Sequence, residues 1–131
     1  MVEASLEANK KVAFQILDRI FNEGATSIID KTCSKNIVVH TPRVPDDLKG
    51  IAAFKGFIKD FLWAFREVHL HVNELHAEGD MVDVHATFTA TNTAPFLGTP
   101  ATQKRVSTEP VFFFKFGPDG KVVEHWQEKM P

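Results

Sequence analysis

Along the first twenty-two residues the apolar positions Leu6, Val12, Ala13, Ile16, Leu17, Ile20 and Phe21 return at helical spacing, with Lys10, Lys11, Asp18 and Arg19 between them. The pattern predicts an amphipathic helix over 3–22, stopped by Asn22-Glu23-Gly24. A short second helix is expected over 26–33. NIVVH (36–40) then reads as a strand ended by Thr41-Pro42 and a proline-containing loop that closes at Gly50. From Ile51 to Phe65, Phe54, Phe57, Ile58, Phe61, Leu62 and Phe65 recur every three or four residues, which predicts a third helix with a strongly aromatic face. Such a face must be buried.

Beyond residue 66 the period drops to two. Val68, Leu70 and Val72 alternate with His69, His71 and Asn73; after Glu78-Gly79-Asp80, Val82, Val84, Ala86 and Phe88 alternate with Asp83, His85, Thr87 and Thr89. Two long antiparallel strands follow from this. Residues 92–101 read as a loop over the sheet, and 103–116 with 121–129 as a last hairpin around Gly117-Pro118-Asp119-Gly120. Helices first and antiparallel strands after them make an α+β pattern, in which a curved sheet wraps the aromatic helix as a cone. The inside of such a cone is part core and part cavity.

Composition narrows the function classes. With 131 residues the chain is read as a single domain, 1–131, that buries about two thirds of the surface its unfolded form exposes. A formal charge of -2 gives no field for nucleic acid or acidic lipid, so neither partner is expected. Cys33 is the lone cysteine, which rules out an internal disulfide and thiolate zinc and suits a reducing, cytoplasmic setting. The N-terminal MVEASLEANKK lacks a basic segment followed by an apolar run, and no window approaches a membrane span, so neither a leader nor a membrane anchor is expected. Tyrosine is absent, which excludes phenol chemistry.

The segments NKKVAFQILDRIFNEG, NIVVHTP, HAEGDMVDVHATFTA and FKFGPDGKVVEHW, in this order and spacing, resemble the SnoaL-like proteins of the nuclear transport factor 2 (NTF2-like) superfamily, which includes polyketide cyclases and ketosteroid isomerases. The resemblance implies an NTF2-like cone of three N-terminal helices on a curved mixed or antiparallel sheet. It further implies a deep apolar pocket and, often, a homodimer packed through the outer sheet face. The isomerase general base at the end of the first strand maps to His40. The isomerase acid and oxyanion tyrosine map to Phe112 and near Leu17, so both oxyanion donors are missing. The aspartate that follows the EHW motif in SnoaL-like cyclases is absent as well: Gln127 and Glu128 stand there instead.

Alternation puts His125, Gln127 and Lys129 on one face of the last strand and Glu124, Trp126 and Glu128 on the other, and the resemblance turns the His125 face toward the pocket. The expected catalytic residues are therefore His40 as base and His125, with Gln127, Phe57, Phe61 and Phe112 contacting substrate. A strand-end histidine bonded to backbone, a polar spacer in an edge strand and plain core filling are the plainer alternatives for these residues. His69, His71, His76 and His85 alternate with apolar residues and are read as an outer-face patch, so no metal is expected. The function these readings imply is cofactor-free acid–base isomerisation or cyclisation of a small apolar carbonyl compound. The alternatives are a non-catalytic binding protein or a dimeric interaction domain.

Overall fold

A computed structural model describes the backbone of residues 2–131 and the side chains of 5–131; Met1, the first residue of the expected domain, lies outside the described residues. Helix α1 (Val2–Leu17) runs into a π-turn over Asp18–Asn22 and buries Ala13, Ile16, Leu17, Ile20 and Phe21. The wider turn brings Asn22 to the sheet. Its Nδ2 donates to Leu70 O (2.9 Å) and its Oδ1 accepts from Leu70 N (2.8 Å), so a side-chain amide imitates a strand partner. After α2 (Ser27–Thr32), the strands β1 (Cys33–His40) and β2 (Leu48–Lys49) precede α3 (Ile51–Ala64), which buries Phe54, Phe57, Ile58, Phe61 and Ala64. Two helices therefore lie before the first strand, and the third is placed after the β1–β2 hairpin, a correction to the expectation of three N-terminal helices.

The remaining strands are β3 (Phe65–Glu78), β4 (Met81–Asn92), β5 (Arg105–Thr108), β6 (Val111–Phe116) and β7 (Val122–Glu128). They pair in the order β2-β1-β7-β6-β4-β3, with β5 added to β4. The sheet is mixed, because β1 pairs with β7 in parallel while the other pairings are antiparallel. The strand expected over 103–116 is broken at Glu109-Pro110, since proline cannot donate to a ladder. Val82, Val84, Ala86, Phe88 and Ala90 of β4 are all nearly inaccessible, which sets the inner face of the sheet against the helices. His69, His71 and His76 are exposed and His85 half-buried on the opposite face.

Phenylalanine fills the interior. Phe61 lies 4.6 Å from Phe65, 5.4 Å from Phe96, 5.6 Å from Phe88 and 5.8 Å from Phe21, ring centre to ring centre, and Phe21 also meets Phe112 at 6.0 Å. Removing each such ring from water contributes about 1.5–3 kcal/mol. Phe96 reaches this cluster from the loop after β4, and the Arg43 guanidinium sits 5.0 Å above its outer side.

Candidate functional site at the ends of β1 and β7

The parallel register Val38↔Glu124, Val39↔His125 and His40↔Trp126 decides where each side chain points. Because strand residues alternate, Val39, His125 and Gln127 turn inward together, and all three are buried. His40, Glu124 and Trp126 turn outward. The expectation that His40 and His125 face one hollow is thus not met: the register sets them on opposite faces of the sheet.

On the outer face His40 stacks on Trp126, with ring centres 5.1 Å apart and planes 18° apart. Its Nδ1 is 2.8 Å from Asp47 Oδ1 and its Nε2 is 2.6 Å from Glu124 Oε2, so each ring nitrogen meets a carboxylate oxygen that only an N–H can answer. Desolvation by itself would favour the neutral ring, but the hydrogen bonds to Glu124 and Asp47, and then their charges, outweigh it and raise the pKa above 6.5. The resting form is an imidazolium clasped between two anions. Asp47 belongs to the loop between β1 and β2, and Glu124 lies 84 positions from His40 along the chain.

Beside this cluster a hollow of about 330 Å³ opens, lined by His40, Thr41, Pro42, Val44, Asp47, Trp126 and Gln127 among others. Pro42, Val44, Pro45 and the Trp126 indole supply its apolar wall.

Inside the sheet His125 has the opposite chemistry. Its ring is 4.4 Å from Phe114, 5.6 Å from Phe54 and 6.1 Å from Phe112, centre to centre, and the residue is 1% exposed. Nδ1 donates to Phe113 O at 3.0 Å, and Gln127 Nε2 lies 3.3 Å from its Nε2. Burial pushes the imidazole down to about 4; the Phe113 hydrogen bond works against that shift and the His40 charge adds to it. His125 is therefore neutral over the physiological range.

The remaining expected contacts, Phe57, Phe61 and Phe112, are 7%, 2% and 0% exposed and belong to the ring cluster, and none of them lines the hollow at the strand ends. Of the residues singled out from sequence, the structure brings His40 and Gln127 to that hollow, and His125 reaches it only through Gln127. Asp47 and Glu124 carry no sequence signal of their own; only the parallel pairing of the first and last strands makes them His40 partners. Cys33 is buried, and its thiol is pushed up to about 11, chiefly by desolvation, so it has no nucleophilic form near neutrality. Among the described residues no group of three or more histidine, cysteine, aspartate or glutamate side chains could hold a metal ion.

The family model described as SnoaL-like polyketide cyclase matches residues 11–128. The chain belongs to that family. AclR of Streptomyces galilaeus, assigned as a hydroxylase, is 30% identical to this SnoaL-like chain, with a TM-score of 0.78 over 95% of this chain and 90% of that one. A protein of Jannaschia sp. CCS1, assigned as a SnoaL-like polyketide cyclase, shares the fold at a TM-score of 0.86 and 22% identity, over 94% and 85% of the two chains. SalBIII, an epoxide hydrolase/cyclase-like enzyme with a role in pyran ring formation in the polyether salinomycin, shares it at 0.77 and 23% identity, over 95% and 92%. Curated proteins give no sequence match. No helix among the described residues is long and apolar enough to cross a membrane.

Proposed function

We propose that this SnoaL-like chain binds a small, largely apolar carbonyl compound of the polyketide type in the hollow at the ends of β1 and β7. There it moves a proton by the acid–base chemistry of its own side chains, as an isomerase or cyclase. The observation that supports this is the His40 clasp beside an apolar wall: one histidine, two carboxylates and an indole at the edge of a hollow of about 330 Å³. Of the two anions Asp47 is the more exposed, its side chain 46% accessible against 31% for Glu124. An entering substrate displaces Asp47 from Nδ1, and the imidazolium, left with only one of its two anions, gives its Nδ1 proton to water. Glu124 then holds the Nε2–H, and Nδ1 becomes the base for an acidic C–H next to the carbonyl. Phe112, paired with Gln127 across β6 and β7, stands behind that residue, and Phe57 and Phe61 belong to the ring cluster further in. One buried cysteine suits a reducing compartment, and the reading places the protein in the cytoplasm.

Deuterium exchange at the carbon next to the carbonyl of tetralone tests the base. His40→Ala is expected to slow it by about 10²- to 10⁴-fold relative to the parent protein. Equal exchange in both removes His40 from the chemistry, and the absence of any chemical-shift change at Thr41, Val44 and Trp126 on adding the ketone removes the hollow.

A second reading, self-association through the outer sheet face, is favoured by Phe113 and Trp126, which are register partners and only half-buried. Sedimentation of the parent protein and of Trp126→Glu separates the two: a dimer that Trp126→Glu dissociates supports the interface.

A further inference from the structure

The inner end of the hollow carries more chemical information than its outer rim. Phe113 O has no proton to give, so the His125 Nδ1 that lies 3.0 Å from it carries the hydrogen. Enclosed by Phe54, Phe112 and Phe114, with no carboxylate in contact among the described residues, the ring is neutral, as its depressed pKa of about 4 also requires. Nε2 is then a bare lone pair, and at 3.3 Å only the NH₂ of Gln127 can answer it. Turning the amide over would set the Gln127 oxygen's lone pair against that of His125 Nε2 and forfeit the hydrogen bond.

The other half of that amide is consequently fixed. Gln127 Oε1 has no hydrogen-bond partner among the described residues. Nor is it sealed away, since among the described residues the buried side-chain polar atom without a partner is Thr108 Oγ1. Gln127 itself lines the hollow.

We propose that Gln127 is a specificity residue that presents an acceptor, never a donor, to the hollow, so that the site selects ligands carrying a hydroxyl or enol proton beside their apolar body. The inference rests on the hollow being the ligand site and adds the class: a hydroxylated ketone, or the enol of a β-dicarbonyl, with its hydroxyl toward Gln127 and its carbonyl toward His40. A bare carbonyl placed at Gln127 would meet an oxygen. His125 acts as the positioning residue, holding the amide one way round.

Titration calorimetry with tetralone, hydroxytetralone and the methyl ether of hydroxytetralone tests this, because the last keeps the oxygen and loses the proton. The parent protein should bind the hydroxy compound roughly tenfold more tightly than the other two. Gln127→Leu should abolish that preference, and His125→Phe should relax it, because the freed amide can turn its NH₂ outward. Nitrogen NMR of the free protein supplies a check that needs no ligand and no variant: His125 should be protonated at Nδ1 and bare at Nε2. The reverse tautomer overturns the proposal, as does equal affinity for alcohol and ether when both shift Thr41 and Trp126. That last result leaves the hollow standing as a ligand site. If none of the three compounds shifts those residues while the tautomer is as stated, the hollow itself fails and the selectivity fails with it.

Discussion

The two faces of β7 hold histidine environments one strand apart that pull in opposite directions. Outward, His40 stands against Trp126 with a carboxylate on each nitrogen and is held as a cation; inward, His125 stands among three phenylalanines and is held neutral. The same side chain is a cation between two anions on one side and a neutral hydrogen-bonding group on the other. What differs is which groups the register brings within reach.

The contrast is broken most forcefully by cutting one ring on each face. Phe114, 1% exposed and stacked on His125, should cost about 3–5 kcal/mol when changed to alanine. Its outward neighbour Phe113 should cost only about 1–1.5 kcal/mol. Urea denaturation of Phe114→Ala and Phe113→Ala checks both, and equal losses would mean that the outer face is as tightly packed as the core.

Acid separates the two histidines next. In the unfolded chain His125 titrates near 6.5, whereas in the fold it does so at about 4. Between those values the unfolded state binds the proton and the native state does not, so stability falls by about 3 kcal/mol as pH drops through that window. His40 has the opposite sign. Its folded pKa is raised, so its contribution is fully present below 6.5 and is lost as pH rises through the folded value. Denaturation curves should lose the fall in stability below pH 6.5 in His125→Gln and keep it in His40→Gln, which should instead lose the fall that the parent protein shows as pH rises above 6.5.

The smallest effect concerns the link between the faces. Arg43, on the loop that also supplies Asp47, lies over Phe96 of the inner cluster, and Arg43→Ala should cost about 0.5–1 kcal/mol in thermal denaturation. Unchanged titration of both histidines in that variant would establish that loop and core act independently.

Much of this arrangement is legible in the chain itself. The change of period near residue 66 gives the order of helices and strands, and alternation in VEHWQE puts His125 and Gln127 on one face, which the family resemblance turns inward. Local pattern does not reach further. Whether His40 points in or out depends on β1 lying parallel to β7 with His40 opposite Trp126, a pairing between distant segments that no short window contains. The same holds for its partners: Asp47 sits in an irregular loop and Glu124 looks like an ordinary surface carboxylate of a strand. The helical period of α1 likewise runs on through residue 22 and gives no hint that the last turn widens and sends the Asn22 amide to Leu70.

That amide bears on how the molecule can assemble. One rim of the sheet is β2, two residues long, and the opposite rim, β3, is already met midway by a side chain that takes both its donor and its acceptor at Leu70. A foreign strand seeking to extend the ladder finds too little to grip at one end and an occupied rung at the other, which protects a long exposed strand from fibrous growth.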